Sequence, residues 1–226
     1  MHLDRILQNI LKLIIQKNEI QLSSISASEK VKLFQIIEEE GLLVKYDDKI
    51  ILDEKDRSRI MLNILKRTQK PFNILKNIEW NNFEQIIAII FSEIGFNVLT
   101  NFRFKDDISR YEIDVIAFNY PYILLIDCKF HRKVNLTSIK RAAEKQRERT
   151  EMIIERFPII SDELVKKLVL PLKRKIYAIP IIISWQEHTV LFHEQIAIVP
   201  FRYLQGFISE LDELRDDLFA IELEVV

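Results

Sequence analysis

The chain has 226 residues, 48% hydrophobic and 30% charged, the balance of a globular protein with room for one large domain or two small ones. Its longest apolar runs, such as Tyr122 to Ile126 and Ile181 to Ile183, fall far short of the roughly 20 residues of a helical membrane span, so no membrane partner is expected. A net charge of −1 exerts no overall pull on a polyanion, a single cysteine cannot form an intrachain disulfide, and three glycines provide no phosphate-cradling loop, so neither ATP hydrolysis nor a nucleotide cofactor is expected.

Residues 1–70 read as a small helical domain. Leu3, Ile6, Leu7, Ile10, Leu11 and Ile14 recur at helical spacing, predicting a helix to Gln16. Charged and amide residues break that stretch, so it lacks a signal-peptide core and a cytoplasmic location is expected. A polar segment, Ser23 to Ser28, leads into a helix from Glu29 to Glu40 that Gly41 ends. A hairpin is expected next, Leu42 to Lys45 and Lys49 to Leu52 around Asp47-Asp48, then a helix from Lys55 to Arg67. Helices followed by a β-wing predict a winged-helix-like unit, which leaves DNA binding and protein contact both open.

Pro71 marks the expected boundary, with a second domain over 71–226. A helix from Asn81 to Ile94 places Phe83, Ile86, Ile87, Ile90, Phe91 and Ile94 on one face, and Gly95 closes it. Strands are expected at Asn97 to Phe104, Tyr111 to Phe118 and Tyr122 to Phe130, followed by a long helix from Leu136 to Phe157 capped by Asn135. Further strands at Ile176 to Ser184, Thr189 to Phe192 and Gln195 to Val199 precede a helix from Tyr203 to Leu214 and a last strand, Ile221 to Val226. The order is αβββαβ with additions, an α/β domain. Positive residues concentrate between Lys129 and Lys175, whereas Glu210 to Glu224 is mainly acidic, so the middle of the chain can be basic although the whole is neutral.

Within the apolar strand that starts at Tyr122, Asp127 and Lys129 interrupt a run that belongs in a core. Alternation puts the two on one face and Cys128 on the other. Asp47-Asp48-Lys49 and Asp53-Glu54-Lys55 match the same acid-x-lysine pattern, but both lie in charge-rich, turn-like surroundings. The preceding apolar strand also carries acids, Glu112 and Asp114. If the strands turn at Tyr120-Pro121, residue 119 pairs with 122 and Asp114 falls opposite Asp127. Directly opposed Cβ atoms are about 4.5–5.5 Å apart, a destabilising spacing for like charges that a divalent cation reverses. Carboxylates with a main-chain carbonyl and waters suit Mg²⁺ or Mn²⁺, and His131, His188 and His193 lack metal-ligand spacing to one another.

A helix bearing Glu84, a strand with Asp114 and a following strand with Asp127-x-Lys129 resemble the PD-(D/E)xK nuclease superfamily, over about Trp80 to Val199. With a helical unit in front, the whole is most similar to Mrr-type restriction endonucleases. The resemblance implies a restriction-endonuclease-like αβββαβ core with a mixed central sheet behind a winged-helix-like domain. It also implies that Asp114 and Asp127 hold the metal, helped by the Cys128 carbonyl, with Glu84 binding directly or through water. Lys129 would orient or deprotonate the attacking water and stabilise charge on the phosphate. Asp127 stands where relatives often have glutamate.

After Lys129, positions Ile139, Ala143, Gln146, Thr150, Ile153 and Phe157 share one helical face, making Gln146 a polar residue in a stripe that packs on the sheet. Some relatives carry a glutamine on this helix with a tyrosine four residues on; Thr150 stands there here, so Gln146 joins the candidates on half a signature. Arg141, Lys145 and Arg149 follow one another on a neighbouring face, where they can hold phosphates. The expected partner is DNA, whose two-fold symmetry leaves room for a homodimer. The expected function is a metal-dependent deoxyribonuclease; the alternative is a nucleic-acid-binding or regulatory protein that keeps the fold without turnover.

Overall fold

The computed structural model describes residues 2–16, 19–42, 47–67, 80–105, 109–130, 135–187, 189 and 191–225. They form two compact units, 1–82 and 83–226. The boundary expected at Pro71 lies outside the described residues.

In the first unit, α1 (His2–Gln16) buries Leu7, Ile10, Leu11 and Ile14, the stripe its spacing requires. Helix α2 (Ala27–Glu39) starts earlier than expected because Ser26 caps it: the Ser26 hydroxyl accepts from the Glu29 amide, and the Glu29 carboxylate accepts from the Ser26 amide. It ends at Gly41, whose φ of +62° suits a residue without a Cβ. The strand at Lys49–Ile51 (β2) pairs with a segment in which the sequence indicated no strand. Its partner is β1 (Glu19–Gln21), with Ile20 opposite Ile50, both buried. β1 is too short for periodicity to reveal. The first strand of the expected hairpin falls at 43–46, outside the described residues. Helix α3 (Glu54–Arg67) adds Ile60, Met61 and Ile64 to the buried apolar residues.

The second unit is a mixed α/β structure. Helix α4 (Trp80–Glu93) buries Phe83, Ile86, Ile87 and Phe91, while Ile94 beyond its end is 44% exposed. Strands β3 (Asn97–Lys105), β4 (Arg110–Asn119) and β5 (Tyr122–Lys129) form an antiparallel meander. Two helices then cross to β6 (Lys175–Ser184), which lies parallel to β5. β6 is followed by β7 (Phe192–His193) and β8 (Ile196–Pro200), and the sheet order is β3-β4-β5-β6-β8-β7, with β9 (Ile221–Glu224) antiparallel to β6. Except for partly exposed Lys129, every residue of β5 is buried, as both-face coverage demands.

Three expectations change. The expected long helix is α5 (Leu136–Glu155), and a helix the sequence did not indicate, α6 (Phe157–Leu168), follows it. Pro158 lacks the N–H that helix continuation needs but is tolerated in a first turn, so it starts a new helix. β7 lies at Phe192–His193, later than Thr189 to Phe192, joined to β8 by the turn Glu194-Gln195. The final helix breaks at Glu210 into α7 (Leu204–Ser209) and α8 (Leu211–Leu214).

One apolar cluster joins Ile123 and Leu125 of β5, Ile153 of α5, and Phe157, Leu164 and Leu168 of α6. An aromatic group lies at the far end of β5: Phe83 of α4 meets Phe130, Trp185 and Phe201 at ring-centroid distances of 5.6, 5.9 and 5.8 Å. That contact seats the N-terminal turn of α4, and with it Glu84, beside the strand end that carries Lys129.

Candidate functional site

The β4–β5 register follows the expected count. Asn119 pairs with Tyr122 across the turn at Tyr120-Pro121, and the ladder runs to Val115 opposite Ile126, which brings Asp114 level with Asp127. The Tyr120-Pro121 peptide bond is cis.

Asp114 does not simply face Asp127 across one sheet surface. Ile113 and Ile116 of β4 belong to the same apolar cluster, although they are three positions apart where strict alternation requires an even interval. Opposite this point in β3, Asn101 has φ +53°. The sheet therefore slips in phase at Asn101 and Asp114, as strands do at bulges near functional sites. Asp114 Oδ2 accepts a hydrogen bond of 2.7 Å from the Cys128 amide, replacing a ladder bond just past the end of the β4–β5 pairing. The Trp185 amide donates to the Lys129 carbonyl (2.8 Å), so the main-chain groups of Lys129 face β6 and, by alternation, those of Cys128 face β4. The Cys128 carbonyl thus turns toward the side where Asp114 lies.

Asp127 is 2% exposed and both its oxygens meet cations. Oδ1 accepts from Arg149 Nη1 at 2.7 Å. Oδ2 is ion-paired with Lys129, yet it has no hydrogen bond of ordinary geometry. The expected shared face of Asp127 and Lys129 is observed as this contact. Gln146 is fully buried: its Nε2 donates to the Leu125 carbonyl (2.9 Å), tying α5 to β5, while its Oε1 accepts from Arg149 Nη1 (3.1 Å). Thr150 donates its hydroxyl to the Gln146 carbonyl (2.8 Å), a bond within the helix.

Burial raises the Glu84 carboxyl to about 7, reinforced by the negative charges of Asp114, Glu112 and Asp127 and opposed by Lys129. Burial and the charge of Asp127 raise Asp114 to about 6, against the Cys128 hydrogen bond and the cations Lys129 and Arg149. These mutual effects place all four groups, Glu84, Asp114, Asp127 and Lys129, in one electrostatic neighbourhood. The Cys128 thiol is buried and pushed up, chiefly by desolvation. Glu112 accepts from Arg103 (3.0 Å) at the surface.

Arg141 and Lys145 are exposed on α5, two turns and one turn before Arg149 respectively. Of these three cations, only Arg149 is drawn into the acidic group, a role the spacing alone did not indicate; its position three residues after buried Gln146 was the available signal.

The donor set fits a hard divalent cation: two carboxylates on adjacent strands, an adjoining carbonyl, a buried carboxylate oxygen without a hydrogen bond, and a third acid destabilised in its charged form. Glu84, Asp114 and Asp127 do not draw together as tightly as Glu144, His193 and Glu194, whose ligand-type atoms lie within 4.8 Å of one another. That group is on the surface, with His193 Nε2 3.0 Å from Glu144 Oε1. His131 and His188 lie outside the described residues. Among the described residues, no helix is long and apolar enough to cross a membrane.

No family model matches the sequence. The chain is 31% identical over 136 residues to an uncharacterized protein of Archaeoglobus fulgidus, a match covering 59% of this chain and 92% of that protein. Three solved structures show distant likeness. AF1548, a protein of unknown function, overlaps 56% of this chain at 16% identity and a TM-score of 0.27. VC1899 from Vibrio cholerae overlaps 96% at 12% and 0.39. Can2 from Sulfobacillus thermosulfidooxidans, in complex with cyclic tetra-adenylate, overlaps 90% at 11% and 0.29. The chain spans about half the length of each of these three.

Proposed function

We propose that this chain, which belongs to the family of the uncharacterized Archaeoglobus fulgidus protein, is a metal-dependent deoxyribonuclease of the PD-(D/E)xK superfamily, most similar to the Mrr type. The observation that carries the reading is the gathering of Asp114, Asp127, Lys129 and Glu84 at one end of β4 and β5, with Gln146 anchored behind them. Two acids that repel each other, beside a lysine and in a slip of the sheet, are costly for a fold that has no cation to bind. The order α4-β3-β4-β5-α5-β6 supports a restriction-endonuclease-like core, and α1 to α3 with the β1–β2 ribbon support a winged-helix-like unit.

Asp114, Asp127 and the Cys128 carbonyl would hold Mg²⁺ or Mn²⁺, with Glu84 binding directly or through water. When bound, such an ion polarises a phosphoryl oxygen and lowers the pKa of a coordinated water. Lys129, partly exposed at the strand end, orients the attacking water and offsets charge that develops on the phosphate. Gln146 fixes α5 against β5, and Arg141 and Lys145 receive flanking phosphates from the exposed side of that helix. DNA is the partner of this reading, and a homodimer would match the two-fold symmetry of a duplex.

A second reading, a binding or regulatory protein without turnover, draws on the double pairing of Asp127, which balances the carboxylate's charge without a metal. Incubating the protein with supercoiled, linear, single-stranded and branched DNA in Mg²⁺ or Mn²⁺ separates the two. Cleavage that EDTA abolishes and that Asp127→Asn and Lys129→Ala lack is expected. No cleavage of any substrate, or undiminished cleavage by both variants, sinks the nuclease reading.

A further inference from the structure

Asp127 is nearly inaccessible, and a carboxylate so placed requires compensation in the metal-free protein. Two cations provide it, and they are not equivalent. Lys129 is two residues away on the same strand, holding Oδ2 from a tether that keeps it at the site. Arg149 reaches Oδ1 (2.7 Å) from helix α5 with about a quarter of its side chain exposed. The same Nη1 also contacts Gln146 Oε1 (3.1 Å), and Gln146 is immobilised by its bond to the Leu125 carbonyl (2.9 Å). The guanidinium thus has a second acceptor that does not move. Arg141 and Lys145 lie exposed on the same helix, two turns and one turn before it.

We propose that Arg149 is a positioning residue that holds Asp127 in the metal-free protein and yields it to the divalent cation, so that guanidinium and metal compete for one carboxylate. The inference rests on the reading of Asp127 as a metal ligand. Gln146 Oε1 would retain the guanidinium on α5 once a dication took Asp127, because like charges at that distance repel, and the guanidinium would then be free for a phosphate. Arg149 thereby keeps the acid in place until the cation arrives, and a positive charge stays at hand for the substrate.

The test is calorimetric titration of Mn²⁺ alone, at about pH 8 where carboxylates are ionised, into wild type, Arg149→Met, Arg149→Lys and Asp127→Asn, with thermal melts of each. Removing the competitor is expected to tighten Mn²⁺ binding about tenfold in Arg149→Met, and about threefold in Arg149→Lys, which keeps the charge but loses the planar fork. Arg149→Met should melt lower than wild type without metal and recover most of the difference with Mn²⁺. A residue that merely supports the fold would leave the affinity unchanged or weaken it. Unchanged or weaker binding by folded variants, alongside wild-type binding that Asp127→Asn abolishes, overturns the exchange and leaves the metal site standing. If Arg149→Met does not fold, Arg149→Lys alone decides. Absence of Mn²⁺ binding that depends on Asp127 overturns the metal reading, and the exchange with it.

Discussion

Glu84 and Asp114 hold their protons to higher pH in the folded chain than in the unfolded one, because burial and neighbouring acids disfavour their charged forms. The stabilisation this brings to the metal-free protein is complete below their ordinary values of 4.5 and 3.8, and it is lost as pH rises through about 6 for Asp114 and about 7 for Glu84. The melting temperature without metal should fall across that window. Glu84→Gln should flatten the fall, and Mn²⁺ should oppose it by favouring the charged forms. Cleavage should rise over the same range as the acids become free to bind metal. A pH profile of melting identical in wild type and Glu84→Gln would show that the strained acid lies elsewhere. At the reaction centre, Lys129→Ala is expected to lower the cleavage rate about 10²–10⁴-fold, read from single-turnover rates on folded protein, and to lower the melting temperature because buried Asp127 loses one of its two cations. Asp127 and Lys129 were legible in the sequence because an apolar strand has no other use for them. Glu84 was legible only through resemblance, since a glutamate on a helix is usually solvated. The engagement of Arg149 was not, because its spacing to Arg141 and Lys145 placed it equally well on an outer face.

Helix α5 shows how much one buried polar residue can organise. The stripe Ile139, Ala143, Gln146, Thr150 and Ile153 is buried as its spacing predicted, and Gln146 spends its amide on the β5 backbone. Gln146→Leu leaves the Leu125 carbonyl without this donor and should cost about 1–3 kcal/mol in chemical denaturation. It should also loosen Arg149. In the N-terminal unit, Ser26→Ala removes a capping box and should cost about 1 kcal/mol. A loss near zero there would show that the Glu29 amide finds another acceptor. Where the sequence misplaced elements, local chemistry explains it. No helix was expected after Phe157, whereas Pro158 sits in the first turn of α6, because a first turn and an interruption look alike in one dimension. Strand β1 is three residues long, and only its pairing with Lys49–Ile51 makes it a strand.

At the scale of the whole molecule, the net charge of −1 conceals segregation along the chain: basic residues concentrate between Lys129 and Lys175 and acidic ones follow Glu210. DNA binding should therefore depend strongly on salt despite the neutral total. Replacing Arg141 and Lys145 together by alanine should weaken it for all sequences and reduce the slope of log affinity against log salt by roughly 2. An unchanged slope would move the DNA surface off α5. Mg²⁺ or Mn²⁺ should also raise the melting temperature by binding only the folded form, an effect that EDTA reverses and Asp127→Asn lacks.

By itself the sequence determined the α/β class of the second unit, the β4–β5 register and the candidate acids and lysine, because strand alternation and apolar periodicity are local rules that residue order expresses directly. Only the tertiary structure decided that Asp114 turns its carboxylate to the Cys128 amide, that Glu84 comes beside it through the contact of Phe83 with Phe130, and that Arg149 reaches Asp127. Each depends on a phase slip or on helix packing against the sheet, and such contacts between distant segments leave no period in the chain.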